Sequence, residues 1–389
     1  MNEQLKTHYS SRITYKTGVF QESSNLLYLL GLSLIKDIGP VMARSLIDTF
    51  GSAKEVFSQT EKSLMDVEGI GQQRAKAIRE FNRWKDAEAI IKRCNDINIE
   101  IVSYLSNLYP ENLKTIPDPP LILYMMGKPL PQDALAIAIV GSRRTSDYGR
   151  RAAEKLSREL AELGITIVSG LARGIDTIAH TACLRSGGRT IGVSGSGLDR
   201  PYPPENKELI KKIINNGYVI SEFPPGTPPY KENFPQRNRL ISGLSLAVIV
   251  VEAEAKSGAL ITAGYGLEQG REVFAVPGGI FSKTSQGTNS LIKKGAKPVT
   301  SVNDIFEELA PRLKGLIKEQ QPSWEAQLEF SDREKAIINI MTEEPLHIDE
   351  ITRKSGMSIS ECTSILLELE LKGAVRQLQG KRFYLIKEV

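Results

Sequence analysis

Short, continuous runs of apolar and β-branched residues recur through the middle of the chain. They are AIAIV (136–140), ITIVS (165–169), TIGVS (190–194), GYVIS (217–221), LAVIVV (246–251) and EVFAV (272–276). A strand has this composition when both of its faces are buried, as in a parallel sheet that helices cover on each side. Such helices are predicted near 148–163, 174–186, 205–215 and 258–270. The alternation predicts a doubly wound, Rossmann-like α/β domain.

The amino-terminal segment has a helical pattern and contains two copies of one short sequence motif. IKDIGPVMARSLIDTFGS (35–52) and VEGIGQQRAKAIREF (67–81) superpose with Gly39 on Gly71, although the first copy has Asp37 where a glycine is usual. A glycine turn that joins two short helices exposes N–H groups where the helix dipole favours an anion. Helix-hairpin-helix modules use this geometry on nucleic-acid phosphates. Contact with DNA and a purely structural role are both open here.

The carboxyl-terminal segment predicts a winged helix. Its elements are a helix in DREKAIINIMTEE (332–344), a helix pair at 348–356 and 358–372, and a hairpin in AVRQLQGKRFYLI (374–386) turned at Gln379-Gly380. The second helix of the pair is acidic, with Glu361, Glu368 and Glu370 against one lysine. Because binding to a duplex requires neutralised phosphates, we interpret this module as a protein-contact surface.

Length and charge divide the chain into three parts. Its 389 residues exceed the roughly 250–300 at which one hydrophobic core stops growing. Prolines between 117 and 131 and a polar run at 318–327 mark two junctions, so we expect domains at 1–110, 111–310 and 325–389. The net charge is +4; residues 111–310 hold 24 basic and 20 acidic side chains, while the flanks sum to +1 and −1. The whole surplus therefore lies in the central domain.

The cysteines, histidines and apolar segments indicate the compartment. Three cysteines occur without CxxC spacing, and none of the three histidines is directly followed or preceded by another His or by Cys. The first 20 residues lack an apolar core, and nowhere do 18 apolar residues follow one another. We expect a cytoplasmic protein with no membrane span, no metal site and no cofactor.

The loops beyond the strands' carboxyl ends are the expected ligand site in this fold. Gly141-Ser142-Arg143 follows AIAIV and combines close backbone approach, a hydroxyl and a planar cation for phosphate. Ser169-Gly170 follows the next strand, with Asp176 and His180 beyond it. We interpret that Asp-His pair as fixing a helix start rather than as a general base, because no G-x-S-x-G elbow accompanies it.

Further loops offer polar groups at the same edge. Gly195-Ser196-Gly197 resembles a phosphate-binding turn but is neither a P-loop nor a dinucleotide fingerprint. The proline-rich connection 221–245 has a fixed path and places cations beside Phe234, a pairing suited to single-stranded DNA. Packing of Phe234 in the core is the alternative. Lys256-Ser257-Gly258 and Pro277-Gly278-Gly279 supply either anion-binding amides or ordinary turns.

These motifs together resemble one family. In order they are AIVGSRRTSDYG, SGLARGIDTIAH, GSGLDRPYPPEN, SEFPPGTPPYKENFPQRNRLISGLS, VVEAEAKSGALITA and GREVFAVPGG, and they are similar to the bacterial DNA-processing protein A (DprA/Smf) family. The resemblance implies a SAM-like helical domain before the Rossmann-like centre and a winged helix after it. Our candidate DNA-binding residues are Gly141, Ser142, Arg143, Ser169, Gly170, Lys231, Phe234, Arg237, Asn238, Arg239 and Lys256.

The resemblance also implies an activity and partners. Members bind and protect incoming single-stranded DNA in natural transformation, load the RecA recombinase and ease displacement of single-strand-binding protein. They are homodimers, here through about 288–302, and are not known to turn over a substrate. The RecA contact is expected near helix 261–271.

Two other functions stay open at this point. Lysine-decarboxylase-like phosphoribohydrolases share this Rossmann variant and bind phosphate with a PGGxGT loop, which is interrupted after Gly279 here. A regulator that binds duplex DNA through the winged helix is the other, and the acidic second helix disfavours it.

Overall fold

The computed structural model describes residues 25–309, 331–341, 345–371, 374–378 and 381–385. The chain divides into two compact units, Met1–Ala310 and Pro311–Val389. The first contains a helical region followed by a sheet, and the second contains the winged helix. The predicted fold class is confirmed, while the exact domain boundaries stay a prediction.

A mixed sheet organises the first unit. Its strands are β1 Glu100–Ser103, β2 Ile122–Gly127, β3 Ala136–Val140, β4 Thr166–Ser169, β5 Thr190–Val193, β6 Gly217–Ser221, β7 Ala247–Val250, β8 Glu272–Ala275 and β9 Lys297–Pro298. Their order is β1-β2-β6-β5-β4-β3-β7-β8-β9. Strands β3 to β9 are parallel to their neighbours in that set, and β2 pairs antiparallel with β1 and β6. The predicted strands are all present, and β3 to β7 are buried along their whole length.

The strand order determines where a ligand can bind. The next strand along the chain, β4, pairs with one edge of β3, and β7 pairs with the other edge of β3. Helices that follow these two strands lie on opposite faces of the sheet, so a crevice opens between the loops after β3 and β7. The site is therefore expected at the carboxyl ends of β3 and β7.

Helices connect the strands and form the amino-terminal region. They are α1 25–33, α2 Pro40–Phe50, α3 Ala53–Ser58, α4 Glu61–Met65, α5 Gln72–Arg79, α6 Trp84–Asp96, α7 Glu111–Lys114, α8 Asp147–Glu162, α9 Ile175–Arg185, α10 Lys207–Asn216, α11 Asn233–Gly243, α12 Gly258–Glu268, α13 Gln286–Lys293 and α14 302–309. The four predicted covering helices are confirmed as α8, α9, α10 and α12. The connection 221–245 contains a helix that the sequence analysis did not predict, since much of its second half is α11.

The helical region packs on the sheet through a shared core. Leu30, Leu46 and Leu64 are buried there beside Ile122 and Tyr124 of β2. Aromatic rings pack together in the same region. The Trp84 ring contacts those of Tyr28, Phe57 and Phe81 at centroid distances of 5.3, 4.8 and 4.7 Å. The antiparallel strands β1 and β2 thus join the helical region to the sheet.

The two predicted hairpins are present, and their turns match. Gly39 and Gly71 precede α2 and α5 in the same extended conformation. Asp37 has φ +67° where the second copy has Gly69 at φ +82°. Aspartate adopts this left-handed region more readily than most residues, so the first turn forms without a glycine. Arg74 joins the turns by donating to the carbonyl oxygens of Asp37 (3.0 Å) and Gly69 (2.7 Å).

The second unit has the predicted winged-helix elements. They are α15 Asp332–Ile338, α16 Ile348–Ser355, α17 Ile359–Leu371, β10 Leu346–His347, β11 Val375–Leu378 and β12 Arg382–Leu385. The strands form a three-stranded sheet in the order β10-β12-β11. The predicted turn Gln379-Gly380 lies outside the described residues. Within the described residues of both units, no helix is long and apolar enough to cross a membrane.

Candidate functional site

A cleft of about 810 Å³ opens at the crevice between the loops after β3 and β7. Residues of the loops after β3, β4 and β7 line it, together with the starts of α11 and α12. The residues that line it include Gly141, Ser142, Arg143, Arg144, Ala172, Asp176, Tyr202, Pro229, Lys231, Phe234, Arg237, Asn238, Ile241, Glu254, Lys256, Ser257, Gly258 and Thr262. Eight of the eleven candidate residues are thus brought together, and with them the aromatic Tyr202.

The loop after β3 is held by close backbone packing. The Gly141 backbone lies so near Ile175 that a Cβ would be 2.6 Å from its Cγ1. Ile175 also donates its N–H to the Ser142 carbonyl oxygen (3.1 Å). The Ser142 hydroxyl donates to the Arg144 carbonyl oxygen (2.6 Å), which tightens the turn. The guanidinium groups of Arg143 and Arg144 remain exposed at the cleft.

A buried carboxylate joins the two sides of the crevice. Glu252, just after β7, accepts hydrogen bonds from the Ser146 N–H (3.0 Å) and the Thr284 hydroxyl (2.9 Å). Ser146 caps the start of α8, so Glu252 connects that helix to the loop after β8. A Cβ at Gly149 would lie 2.1 Å from the Glu252 Oε2, and only glycine leaves room for this carboxylate.

Phe234 forms the aromatic surface of the cleft. Its ring centroid lies 5.7 Å from the guanidinium carbon of Arg143 and 5.8 Å from that of Arg237. The Tyr202 ring contacts it at 5.5 Å. Phe234 also packs on Gly195, where a Cβ would be 2.9 Å from its Cδ1. The ring is half-buried, and it both packs against the protein and lines the cleft.

Arg237 lines the base of the cleft but is almost entirely buried. The residue is only 4 % exposed, and one guanidinium nitrogen donates to the carbonyl oxygens of Gly170 and Val193. Burial lowers the pKa of Arg237 to about 10, while Asp176 acts in the opposite direction. Its charge is therefore retained at neutral pH and is directed at the ends of β4 and β5. Arg237 positions α11 and leaves little surface for a ligand.

Arg239 points away from the cleft. Two positions along a helix differ by about 200° in direction, so Arg237 and Arg239 cannot share one face of α11. Arg239 forms ion pairs with Glu222 (2.6 Å) and Asp118 (3.1 Å) on the opposite side. The structure thus does not bring this candidate residue to the cleft.

Ser169 and Gly170 also lie behind the cleft lining. The buried Ser169 hydroxyl donates to the Ile139 carbonyl oxygen (2.6 Å), which joins β4 to β3. A Cβ at Gly170 would be 2.7 Å from the Asp176 Oδ2 and 2.8 Å from an Arg237 nitrogen. Both residues support the floor, and neither one lines the cleft.

The predicted Asp176-His180 pairing is replaced by separate contacts. His180 is fully buried, and its Nδ1 forms a hydrogen bond with the Thr190 hydroxyl (2.7 Å). Asp176 accepts from the Ala172 N–H (3.3 Å) at the start of α9. Burial lowers the pKa of His180 to about 3 and raises the pKa of Asp176 to about 6. The described residues contain no group of three or more His, Cys, Asp or Glu side chains placed to hold a metal.

Four exposed cations surround the cleft. Arg143 and Arg144 lie on one wall, and Lys231 and Lys256 lie on the other. None of the four forms an ion pair within the described part of the chain. Lys256 precedes Ser257, whose hydroxyl caps α12 by accepting from the Ala259 N–H (3.3 Å). These side chains can approach an anion without first breaking a salt bridge.

In two of the suggested anion-binding turns, a backbone N–H group already donates a hydrogen bond to another part of the protein. Gly197 donates its N–H to the Thr227 carbonyl oxygen (3.0 Å), and Ser196 is buried. Gly278 donates to Asn289 Oδ1 (3.2 Å) in the Pro-Gly-Gly turn. Sequence reasoning missed Tyr202, whose signal was an aromatic residue shortly after the Gly-Ser-Gly loop.

The fold and cleft define a Rossmann-like protein with a helix-hairpin-helix region before its sheet and a winged helix after it. The chain belongs to the DNA recombination-mediator protein A family, whose model matches residues 100–310. The DprA winged helix domain matches 319–381, and the SAM-like helix-hairpin-helix tandem matches 29–83.

Relatives match over most of their length. Protein Smf of Synechocystis sp. is 34% identical over 393 residues, which cover 93% of this chain and 99% of that protein. The X-ray structure of DNA processing protein A from Streptococcus pneumoniae has a TM-score of 0.62 at 36% identity, covering 72% of this chain and 96% of that one. A structure of DNA processing protein A from Helicobacter pylori, which concerns the single-stranded DNA binding mode of that protein, has a TM-score of 0.50 at 33% identity and covers 55% and 96%.

The buried histidine predicts a pH-dependent stability. Between pH about 3 and 6.5 the unfolded chain protonates His180 and the folded chain does not, so the free energy of unfolding falls as the pH falls. Asp176 acts oppositely between about 4 and 6, because its proton is held more tightly in the folded chain. A His180→Asn variant keeps only the Asp176 contribution. We expect it to be less stable than wild type near pH 7.5, with a gap that narrows towards pH 5.

Urea unfolding at several pH values measures this gap. The matched control is His347→Asn, which removes an exposed histidine of the winged helix. If the free energy of unfolding of His180→Asn is below that of wild type by the same amount at every pH, the folded chain does not hold this histidine neutral.

Proposed function

We propose that the chain binds single-stranded DNA in the cleft at the carboxyl ends of β3 and β7 without chemically changing it. The observation that carries the proposal is the contact of Phe234 with the guanidinium of Arg143, beside cations that form no ion pair with any residue that the structure describes. Cations attract the phosphates of a strand, and an aromatic face stacks on an unpaired base. A duplex keeps its bases stacked internally, so this combination favours a single strand.

The contacts of the polar groups support binding rather than a reaction. The Ser169 hydroxyl donates to a backbone carbonyl, and His180 is buried against Thr190. Asp176 reaches the cleft floor, but it accepts a backbone N–H at a helix start. A nucleophile with an adjacent base is the usual requirement for covalent chemistry, and these side chains are already committed to structural bonds.

The proposed contact set follows from these positions. We assign the contacts with single-stranded DNA to Gly141, Ser142, Arg143, Lys231, Phe234, Asn238 and Lys256. Ser169, Gly170, Arg237 and Arg239 hold the elements that carry those contacts. The related Helicobacter pylori protein, whose structure concerns its single-stranded DNA binding mode, supports the choice of ligand.

We further propose that the chain protects incoming single strands in natural transformation and loads RecA as a homodimer, easing displacement of single-strand-binding protein. Membership of a recombination-mediator family supports this role. The proposed dimer segment, 288–302, includes the end of α13 and strand β9, which is the last strand of the sheet. An edge strand has unpaired backbone groups that a second copy can use. Two linked clefts would also hold one strand at high effective concentration.

Arg143→Ala is expected to weaken binding of single-stranded oligonucleotides and to flatten its salt dependence. Each neutralised phosphate of a single strand contributes about 0.7 to the slope of log K against log salt, so the slope should fall by about that amount. Fluorescence anisotropy titrations across salt concentrations measure both effects. Arg158→Ala, on the helix α8 that follows this loop and paired with Glu162, is the control and should behave as wild type. An unchanged slope for Arg143→Ala would remove Arg143 from the contact set.

Phe234→Leu is expected to lower the affinity about fivefold or more, because stacking on a base contributes about 1–3 kcal/mol. The salt slope should not change, since the lost contact is to a base and not to a phosphate. An oligonucleotide with abasic positions tests the cause, and on it the variant and wild type should bind alike. Phe281→Leu changes a ring that is 95 % exposed outside the cleft, and it is the control. Equal losses on normal and abasic strands would contradict stacking.

The dimer proposal is tested with Ile292→Asp on α13. We expect a monomer by light scattering, weaker single-strand binding, and no acceleration of RecA assembly on strands coated with single-strand-binding protein. Lys212→Ala, a change at an exposed position of α10 outside the proposed dimer segment, is the control. A monomer that still loads RecA at the wild-type rate would separate loading from dimerisation and contradict the proposal.

A further inference from the structure

One wall of the cleft is an irregular segment that needs outside support. Residues 222–232 have no helix or strand, yet they bring Pro229 and Lys231 to the cleft and lead into α11. A segment without regular hydrogen bonding keeps a single path only where other parts of the chain hold it. The contacts of this segment therefore decide where the Lys231 ammonium lies.

Asp199 supplies the central support. Its Oδ1 accepts the Gly226 N–H at 2.7 Å, and the neighbouring Gly197 N–H donates to the Thr227 carbonyl oxygen at 3.0 Å. Gly226 has φ +93°, a conformation that fixes the bend of the segment. The Asp199 side chain is only 11 % exposed, so its hydrogen bonds are poorly screened by water.

The second Asp199 oxygen is held by the helical region. Arg93 of α6 forms an ion pair with Asp199 Oδ2, and the guanidinium carbon lies 3.9 Å from where a Gly226 Cβ would be. Cys94, the next residue on α6, is fully buried in the core of the helical region. Leu198, adjacent to Asp199, packs against that same core. A continuous path of contacts thus runs from the helical region to the cleft wall.

We propose that Arg93 and Asp199 are positioning residues that hold the 222–232 wall, and with it Lys231, in the conformation that binds single-stranded DNA. The inference rests on the proposed function of the cleft. It gives the amino-terminal helical region a role in binding that does not require its hairpins to contact DNA.

Hydrogen exchange of the unbound full-length protein tests the support itself. Arg93→Ala should speed exchange of the peptide that contains Gly226, while Arg93→Lys should restore part of the protection. Lys92→Ala is the matched control, since it removes the same charge from the adjacent exposed position of α6. Unchanged exchange at Gly226 in Arg93→Ala overturns the inference, whatever the protein does with DNA.

A double-mutant cycle tests the consequence for binding. Arg93→Ala should weaken single-strand binding about three- to tenfold. Lys231→Ala should then reduce the affinity for single-stranded DNA by a smaller factor in the Arg93→Ala background than in wild type. Anisotropy titrations of the four proteins measure the coupling. Strictly additive losses, or a wild-type affinity for Arg93→Ala, would overturn the positioning role while leaving the cleft assignment intact. Failure of the wild-type chain to bind single strands would instead overturn the proposed function.

Discussion

The geometry of the cleft depends on the burial of one guanidinium. Arg237 carries a positive charge below the surface, and desolvation of such a charge is costly unless strong acceptors surround it. The carbonyl oxygens at the ends of β4 and β5 provide those acceptors, with Asp176 nearby. Because Val193 is the last residue of β5 and Gly170 directly follows β4, the arginine attaches α11 to the edge of the sheet. The position of Phe234 on that helix follows from this attachment.

Helical periodicity then assigns different roles to neighbouring residues of α11. Phe234, Arg237, Asn238 and Ile241 are spaced i, i+3, i+4 and i+7, and all four line the cleft. Arg239 falls on the other face and is neutralised there by Glu222 and Asp118. In an extended loop, Arg237 and Arg239 would have lain on the same side, where both cations could have faced the phosphates of one DNA strand. As a helix, the same segment supplies one buried arginine that anchors it, one half-buried ring that lines the cleft, and one ion-paired arginine on the other face.

The parts of the fold that were predictable are those in which local composition matches burial. AIAIV and the other β-branched runs are buried on both faces, and the glycine of Gly141-Ser142-Arg143 marks close packing at a strand end. Helix α11 escaped prediction because its inward face carries arginine and asparagine, whose burial depends on distant carbonyls rather than on hydrophobic periodicity. Arg93 and Asp199 are likewise far apart in the sequence, and neither residue alone signals an ion pair.

The distribution of charge also limits how the cleft can attract a strand. Arg237 and Arg239 are satisfied internally, so the exposed positive charge at the cleft comes from Arg143, Arg144, Lys231 and Lys256, opposed by Glu254. Four cations support only a modest electrostatic attraction. The proposed stacking on Phe234 would add a contribution to the affinity that salt does not screen and that only an unpaired base can make. In the proposed dimer, two linked clefts would multiply the affinity without adding charge, and recognition would stay dependent on the single-stranded state.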